Sequence, residues 1–285
     1  MPAGTCCFTV GAIRCTVLAD GYTSYPPSWI FPNTGAEDLN WARHSRHMPL
    51  GEAISPYTCL LVESGREVLL VDTGAGCGGP TSGAIRARLE MAGLRPKDVD
   101  TVVLTHCHPD HIGGAVNACG RPAFPNARYV VAEAEAEFWL GPQRGLDRLR
   151  APADVQRSMS KKARECLSAL RFQLEPLDGE CEIVPGVRAI PAPGHTPGHL
   201  ALAIQSERRR LLNVGDAAFH PLHLERPDWE NGLDLAPETA LRTRRELMDR
   251  AVRENMHVMA FHFPFPCIGQ VEVTAQGGWR WTPGW

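Results

Sequence analysis

Thr105-His106-Cys107-His108-Pro109-Asp110-His111 places three imidazoles and a carboxylate within six consecutive positions. Such a run makes a poor core and a poor solvated surface. Its nitrogen and carboxylate donors suit a borderline divalent cation such as zinc, whereas calcium or magnesium alone would favour an oxygen shell. Val99 to Leu104, just upstream, is mostly apolar and rich in β-branched residues, and Gly113-Gly114 follows the cluster. The run therefore reads as a tight loop at the end of a strand. His106 and His108, two apart, point the same way if extended geometry continues into the loop, which turns Cys107 away as an apolar wall residue. Asp110 and His111 can face a second ion.

Further donors stand at the ends of later strands. Val187-Arg188-Ala189-Ile190 leads into Pro191-Ala192-Pro193-Gly194-His195-Thr196-Pro197-Gly198-His199, where proline and glycine fix the direction of the chain. From the residues alone, either His195 or His199 serves as a ligand. Arg210 to Val214 leads to Gly215-Asp216, and Val258 to Phe261 leads to His262. Upstream, Asp72 in the turn Asp72-Thr73-Gly74 can accept a ring N–H from a ligand histidine and fix its tautomer.

The chain has 285 residues, 44% apolar and 21% charged, which describes a globular protein with a substantial core. A formal charge of -3 gives no electrostatic argument for nucleic acid or an anionic membrane. Ten scattered cysteines, with no CxxC pair among them, read as buried thiols rather than disulfide staples, a zinc knuckle or an iron-sulfur cluster. No stretch of about 18 apolar residues occurs, and the first residues lack a basic segment followed by a long apolar one. The expectation is a soluble cytoplasmic protein.

Many strands with a few helices organise the rest. Phe8 to Leu18 reads as one strand or a bent pair, and Tyr57–Val62 with Arg66–Val71 as a hairpin around Glu63-Ser64-Gly65. Helices are expected over residues 81–92, 133–140 and 237–253. Another starts near Val155, where Met159, Ala163, Leu167 and Leu170 recur at three- and four-residue steps. Residues 20–56, rich in Pro, Gly, Trp, His and Asn without periodicity, read as a long loop or lid.

The pattern His-x-His-x-Asp-His, then Pro-Gly-His-Thr-Pro-Gly-His, then Gly-Asp, then a late His resembles the metallo-β-lactamase superfamily. Val71-Asp72-Thr73-Gly74, Asn213 to Asp216, His262-Phe263-Pro264-Phe265-Pro266 and the tail Gly277 to Pro283 extend the likeness to nearly the whole chain. Within the superfamily it resembles the methyl parathion hydrolase-like and quorum-quenching lactonase branch. The resemblance implies a single α+β domain over residues 1–285, a four-layer αβ/βα sandwich with two divalent metals in a cleft between the sheet edges. It assigns His106, His108 and His195 to one ion, Asp110, His111 and His262 to the other, and Asp216 to both. His199 is then left beside the ligands. Zinc comes first, with manganese, cobalt or iron also compatible.

The implied chemistry is hydrolysis of lactones or esters by a metal-bridging hydroxide, with phosphotriester cleavage as the alternative. Asp110 and Asp216 are the candidate catalytic carboxylates. One departure concerns substrate. Lactonases of this fold commonly carry a tyrosine three positions after the bridging aspartate, and here Phe219 stands there, with His220 or His223 as candidate replacements. Trp29, Phe219 and Phe265 are the candidate walls of a pocket for a small molecule with an apolar part. Dimers are common in the family, and Trp29, Phe31 and Trp41 are the residues that would reach a neighbouring copy.

Overall fold

Alternating burial along the N-terminal segment builds the first sheet edge. In a computed structural model describing residues 4–45 and 53–285, Thr5–Val10 (β1) and Ile13–Tyr25 (β2) form an antiparallel pair joined at Gly11-Ala12. The bent-pair reading of residues 8–18 therefore holds. β2 pairs with Ala53–Ser64 (β3), which turns through Gly65, at φ 64°, into Glu67–Val71 (β4). Thr101–Val103 (β5), Arg128–Ala132 (β6) and Leu174–Leu177 (β7) add in parallel, giving a seven-stranded sheet in chain order.

The second sheet also has seven strands: Cys181–Val184 (β8), Val187–Pro191 (β9), Leu200–Ser206 (β10), Arg209–Asn213 (β11), His257–Met259 (β12), Ile268–Val273 (β13) and Trp279–Pro283 (β14). All neighbours pair antiparallel except β11 and β12. Both sheets are thus mixed. Leu60, Val62, Leu69 and Val71 of the first sheet share one buried cluster with Leu202, Ile204, Leu212 and Val258 of the second, so the sheets face each other across this core.

Helices cover the outer faces. Ile85–Met91 (α3), Pro109–Ile112 (α4), Glu133–Leu140 (α5) and Ala153–Leu170 (α6) contribute Leu89, Ile112, Trp139, Ala163 and Leu167 to a second cluster with Leu61, Leu70 and Val102. Pro237–Arg253 (α8) lays Leu247, Met248 and Ala251 on the other sheet. The remaining helices are Pro27–Ile30 (α1), Ala36–Ser45 (α2) and Leu222–Glu225 (α7). This is the αβ/βα sandwich. Among the described residues no helix is long and apolar enough to cross a membrane.

Two expectations need correction. Residues 20–56 are not one loop: β2 runs to Tyr25, α1 and α2 follow, and β3 begins at Ala53, while residues 46–52 lie outside those described. The polar residues that hid the strand are paired in a long two-stranded ribbon, where backbone hydrogen bonds rather than apolar burial hold each residue. The cysteines are free among the described residues, but only half are buried; Cys7, Cys77 and Cys119 are exposed.

Candidate metal centre

The histidine run leaves β5 with Leu104 still bonded to β6 through Val130, so Thr105 and His106 inherit the direction of a buried strand. Pro109, directly after His108, opens α4 and turns Asp110 and His111 into the same space. At the far ends of β9, β11 and β12 lie His195, Asp216 and His262. The loops from both sheets meet here.

His106 Nε2 and His195 Nε2 each lie 3.0 Å from His108 Nδ1, so three ring nitrogens converge on one point. His262 Nε2 and His111 Nε2 lie 3.4 and 3.8 Å from Asp110 Oδ2, forming a second group. Asp216 stands between the two: Oδ2 is 3.3 Å from His195 Nε2 and 3.2 Å from His262 Nε2, and Oδ1 is 3.4 Å from His111 Nε2. The donor atoms of His106, His108, His195 and Asp216 lie within 4.8 Å of one another, as do those of Asp110, His111 and His262. The structure thus brings together all seven expected ligand residues and takes His195 rather than His199 into the cluster.

The donor set fits two cations. His111 Nε2 and Asp216 Oδ1 are buried and have no hydrogen-bond partner, an unfavourable state unless a cation satisfies them. Burial, then the neighbouring imidazoles, holds His106 and His108 well below their ordinary value, which keeps both rings in the neutral, ligating form. Burial alone would raise the Asp216 carboxyl, but His262 and His111 hold it well below the usual range, so it is ionised. Two divalent ions would match these charges.

Several of the ligands are held from behind. Asp72, at φ 60°, occupies the left-handed region and aims its carboxylate at the cluster. It accepts the Thr105 N–H at 2.8 Å and the His111 Nδ1–H at 2.9 Å. His262 Nδ1 lies 2.7 Å from Ser55 Oγ and 2.9 Å from the Pro56 carbonyl. His199 donates from Nδ1 to the Ala192 carbonyl, and its Nε2 accepts the Asp216 N–H at 3.0 Å, which fixes the backbone of the bridging carboxylate. Burial pushes His199 down to about 3, leaving Nε2 free to accept.

Three supporting residues escaped the sequence reading. Asp234 Oδ1 lies 2.8 Å from His195 Nδ1. Arg244, fully buried in α8, donates from Nε to the Ala217 carbonyl at 2.8 Å and sets Nη2 3.7 Å from Asp234 Oδ2. It therefore braces both His195 and the turn carrying Asp216. Glu135, fully buried in the first turn of α5, accepts from Cys107 N, Trp139 Nε1, Thr196 Oγ1 and Gly198 N at 2.9, 2.7, 2.6 and 3.1 Å. One carboxylate thereby ties the His106–His108 loop to the His195 loop. None of the three has a short-range spacing that would have revealed it.

A cavity of about 430 Å³ opens above the cluster, lined by His108, Asp110 and Asp216 together with Tyr25, Trp29, Tyr57, Met159, Phe219 and Leu233. Trp29 and Phe219 are thus on the wall. Phe265 is not: it packs against the core of the second sheet, because the chain after His262 turns back towards β13. His220 and His223 do not reach the cavity either. His223 Nε2 bonds the Ile30 carbonyl and its Nδ1 accepts the His220 N–H, while His220 Nδ1 accepts the Leu222 N–H. α6 both packs and lines the pocket: Ala163, Cys166 and Leu167 are buried against the sheet, and Val155, Met159 and Lys162 face the cavity.

The profile of the metallo-β-lactamase superfamily matches residues 55–253. A "probable metallo-hydrolase" of Mycobacterium tuberculosis is 33% identical over 187 residues, covering 56% of each chain. An N-acyl homoserine lactonase of Bacillus thuringiensis subsp. kurstaki is 28% identical over 176 residues, covering 61% of this chain and 60% of that one. The chain thus spans less than two thirds of the length of these relatives. Among solved structures, AidC, described as a dizinc quorum-quenching lactonase in complex with its product, superposes with a TM-score of 0.93 at 24% identity, covering 99% of this chain and 98% of that one. The hydrolase AbOPH gives 0.89 at 26%, covering 100% and 99%. Ligand set, sandwich and profile agree: the chain belongs to the metallo-β-lactamase superfamily.

Proposed function

We propose that this chain is a hydrolase that uses two divalent ions, zinc first among them, to open lactones or cleave esters. The observation that carries this reading is the pair of donor groups meeting at Asp216 on the floor of an aromatic cavity. His106, His108 and His195 would hold one ion, and Asp110, His111 and His262 the other, with Asp216 touching both. Bound there, the ions would supply activation of water at neutral pH and polarisation of the substrate carbonyl. The relatives' lactonase names support the choice of substrate.

The chain's own residues account for binding and proton handling. Trp29, Met159, Phe219 and Leu233 would cover an acyl or aryl group and exclude water around the reacting carbonyl. In lactone opening, a water oxygen bonds to the carbonyl carbon and the ring C–O bond breaks. One water proton passes to the leaving alkoxide, and the new carboxylic acid loses the other to solvent. Both Asp110 and Asp216 line the cavity, but Asp110 is the residue for the transfer, since its side chain is 13% exposed and that of Asp216 2%.

Phosphotriester cleavage is the second reading, favoured by the same aromatic lining, which suits an aryl leaving group. A panel of γ- and δ-lactones, aryl esters and a phosphate triester, run on protein of measured metal content, separates the two. Lactone or ester turnover well above triester turnover is the expected result. Triester turnover alone would replace the main reading with the second.

A further inference from the structure

Hydrolysis of a carbonyl places negative charge on its oxygen, and a hydrogen-bond donor fixed beforehand near that oxygen lowers the barrier. Phe219 supplies none. His220 and His223 are turned to backbone partners. The cavity must take any side-chain donor from elsewhere.

β2 and β3 provide one. Thr23 pairs with Ser55, Tyr25 with Ala53 and Gly21 with Tyr57. With period two, Thr23, Tyr25, Ser55 and Tyr57 share one face of the ribbon. Ser55 shows which way that face looks, because its hydroxyl lies 2.7 Å from His262 Nδ1. The opposite face carries Tyr22 and Ile54, both about half exposed, and of these Tyr22 also borders the cavity.

The two inward tyrosines surround the second donor group. Tyr57 is 8% exposed, and its ring meets His262 edge-on at 5.8 Å. Tyr25 meets Phe219 edge-on at 5.8 Å, and Phe219 lies against His262 at 4.0 Å. Thr23, Tyr25 and Tyr57 stand together on the cavity lining. A phenol with an ordinary pKa of about 10 is neutral at pH 7, so each is available as a donor.

We propose that Tyr57, backed by Tyr25, is a catalytic residue whose hydroxyl donates to the substrate carbonyl oxygen over Asp110 and His262. Tyr25 stands beside it on the cavity lining and packs against the phenyl ring that occupies position 219. This inference rests on the hydrolase reading, since it names the contact that reading leaves unfilled. The donor has moved from the loop after Asp216 to the β2–β3 ribbon.

The test compares wild type, Tyr57→Phe and Tyr25→Phe as metal-loaded enzymes on the lactone that wild type turns over best. Both changes keep the ring and remove only the hydroxyl. Y57F should lose about 100-fold in kcat with KM nearly unchanged. Y25F should lose less, in kcat as well. Metal content and melting temperature should match wild type in both. An unchanged kcat in Y57F, a change confined to KM, or a loss that follows metal content or melting temperature would overturn the proposal while leaving the hydrolase reading intact. No turnover of any lactone, ester or triester by wild type would overturn both.

Discussion

Asp234 and Arg244 illustrate how far a ligand's environment extends beyond its bond to a metal. His195 Nδ1 has one partner, the Asp234 carboxylate, and Arg244 is the buried cation beside it. Asp234→Asn keeps the shape and removes the charge, so affinity for the ion at His106, His108 and His195 should fall about 10- to 100-fold. Metal titration of the purified variant measures this, and an unchanged affinity would contradict the role. These residues were not legible beforehand. Histidine ligands announce themselves because few other environments gather His-x-His-x-Asp-His, whereas Asp234 is one acid among many, 39 positions from its partner. Tyr57 was hidden for a similar reason, since its relation to the site depends on strand register and not on spacing.

Short elements with strong backbone constraints place the ligands, and their close approaches are testable. A Cβ on Gly198 would lie 2.2 Å from the Glu135 nitrogen, closer than a real side chain can come. Gly198→Ala should therefore push the His195 loop off α5 and break its bonds to Glu135. A loss of about 1–3 kcal/mol for each buried group left unpaired is expected, read by urea unfolding. Stability within about 0.5 kcal/mol of wild type would show that the loop and α5 are not clamped. The strands delivering His106, Asp216 and His262 were readable from apolar runs that end in donors. β7, β8 and β10 were not, being short or masked by neighbouring glycine and proline, and the β2–β3 ribbon was missed because its alternating residues are largely polar.

Gathering six imidazoles and several carboxylates in one buried place gives the whole fold a pH dependence that metal should suppress. In metal-free protein, burial holds His106, His108 and His199 below their unfolded value, so the unfolded chain binds more protons and stability rises with pH up to about 6.5. Burial opposes the charge on His111 and His195, but the surrounding carboxylates win and hold both above that value, His195 at about 9. Their contribution is complete below about 6.5 and is lost as pH rises through their folded values. The chelated protein should therefore show a stability maximum near pH 6.5, measured by urea unfolding from pH 4 to 10, and a steady rise across that range would contradict the assignments. Adding zinc should raise the melting temperature and flatten the profile, because ions bind the folded state.

Two ions sharing one carboxylate is the claim from which the hydrolase reading, the brace at Asp234 and the tyrosine donor all follow. Anomalous diffraction from crystals grown with zinc tests it directly. Two peaks are predicted, one among His106, His108 and His195 and one among Asp110, His111 and His262, each in contact with Asp216. A single peak, or zinc bound elsewhere with these residues turned apart, would contradict it.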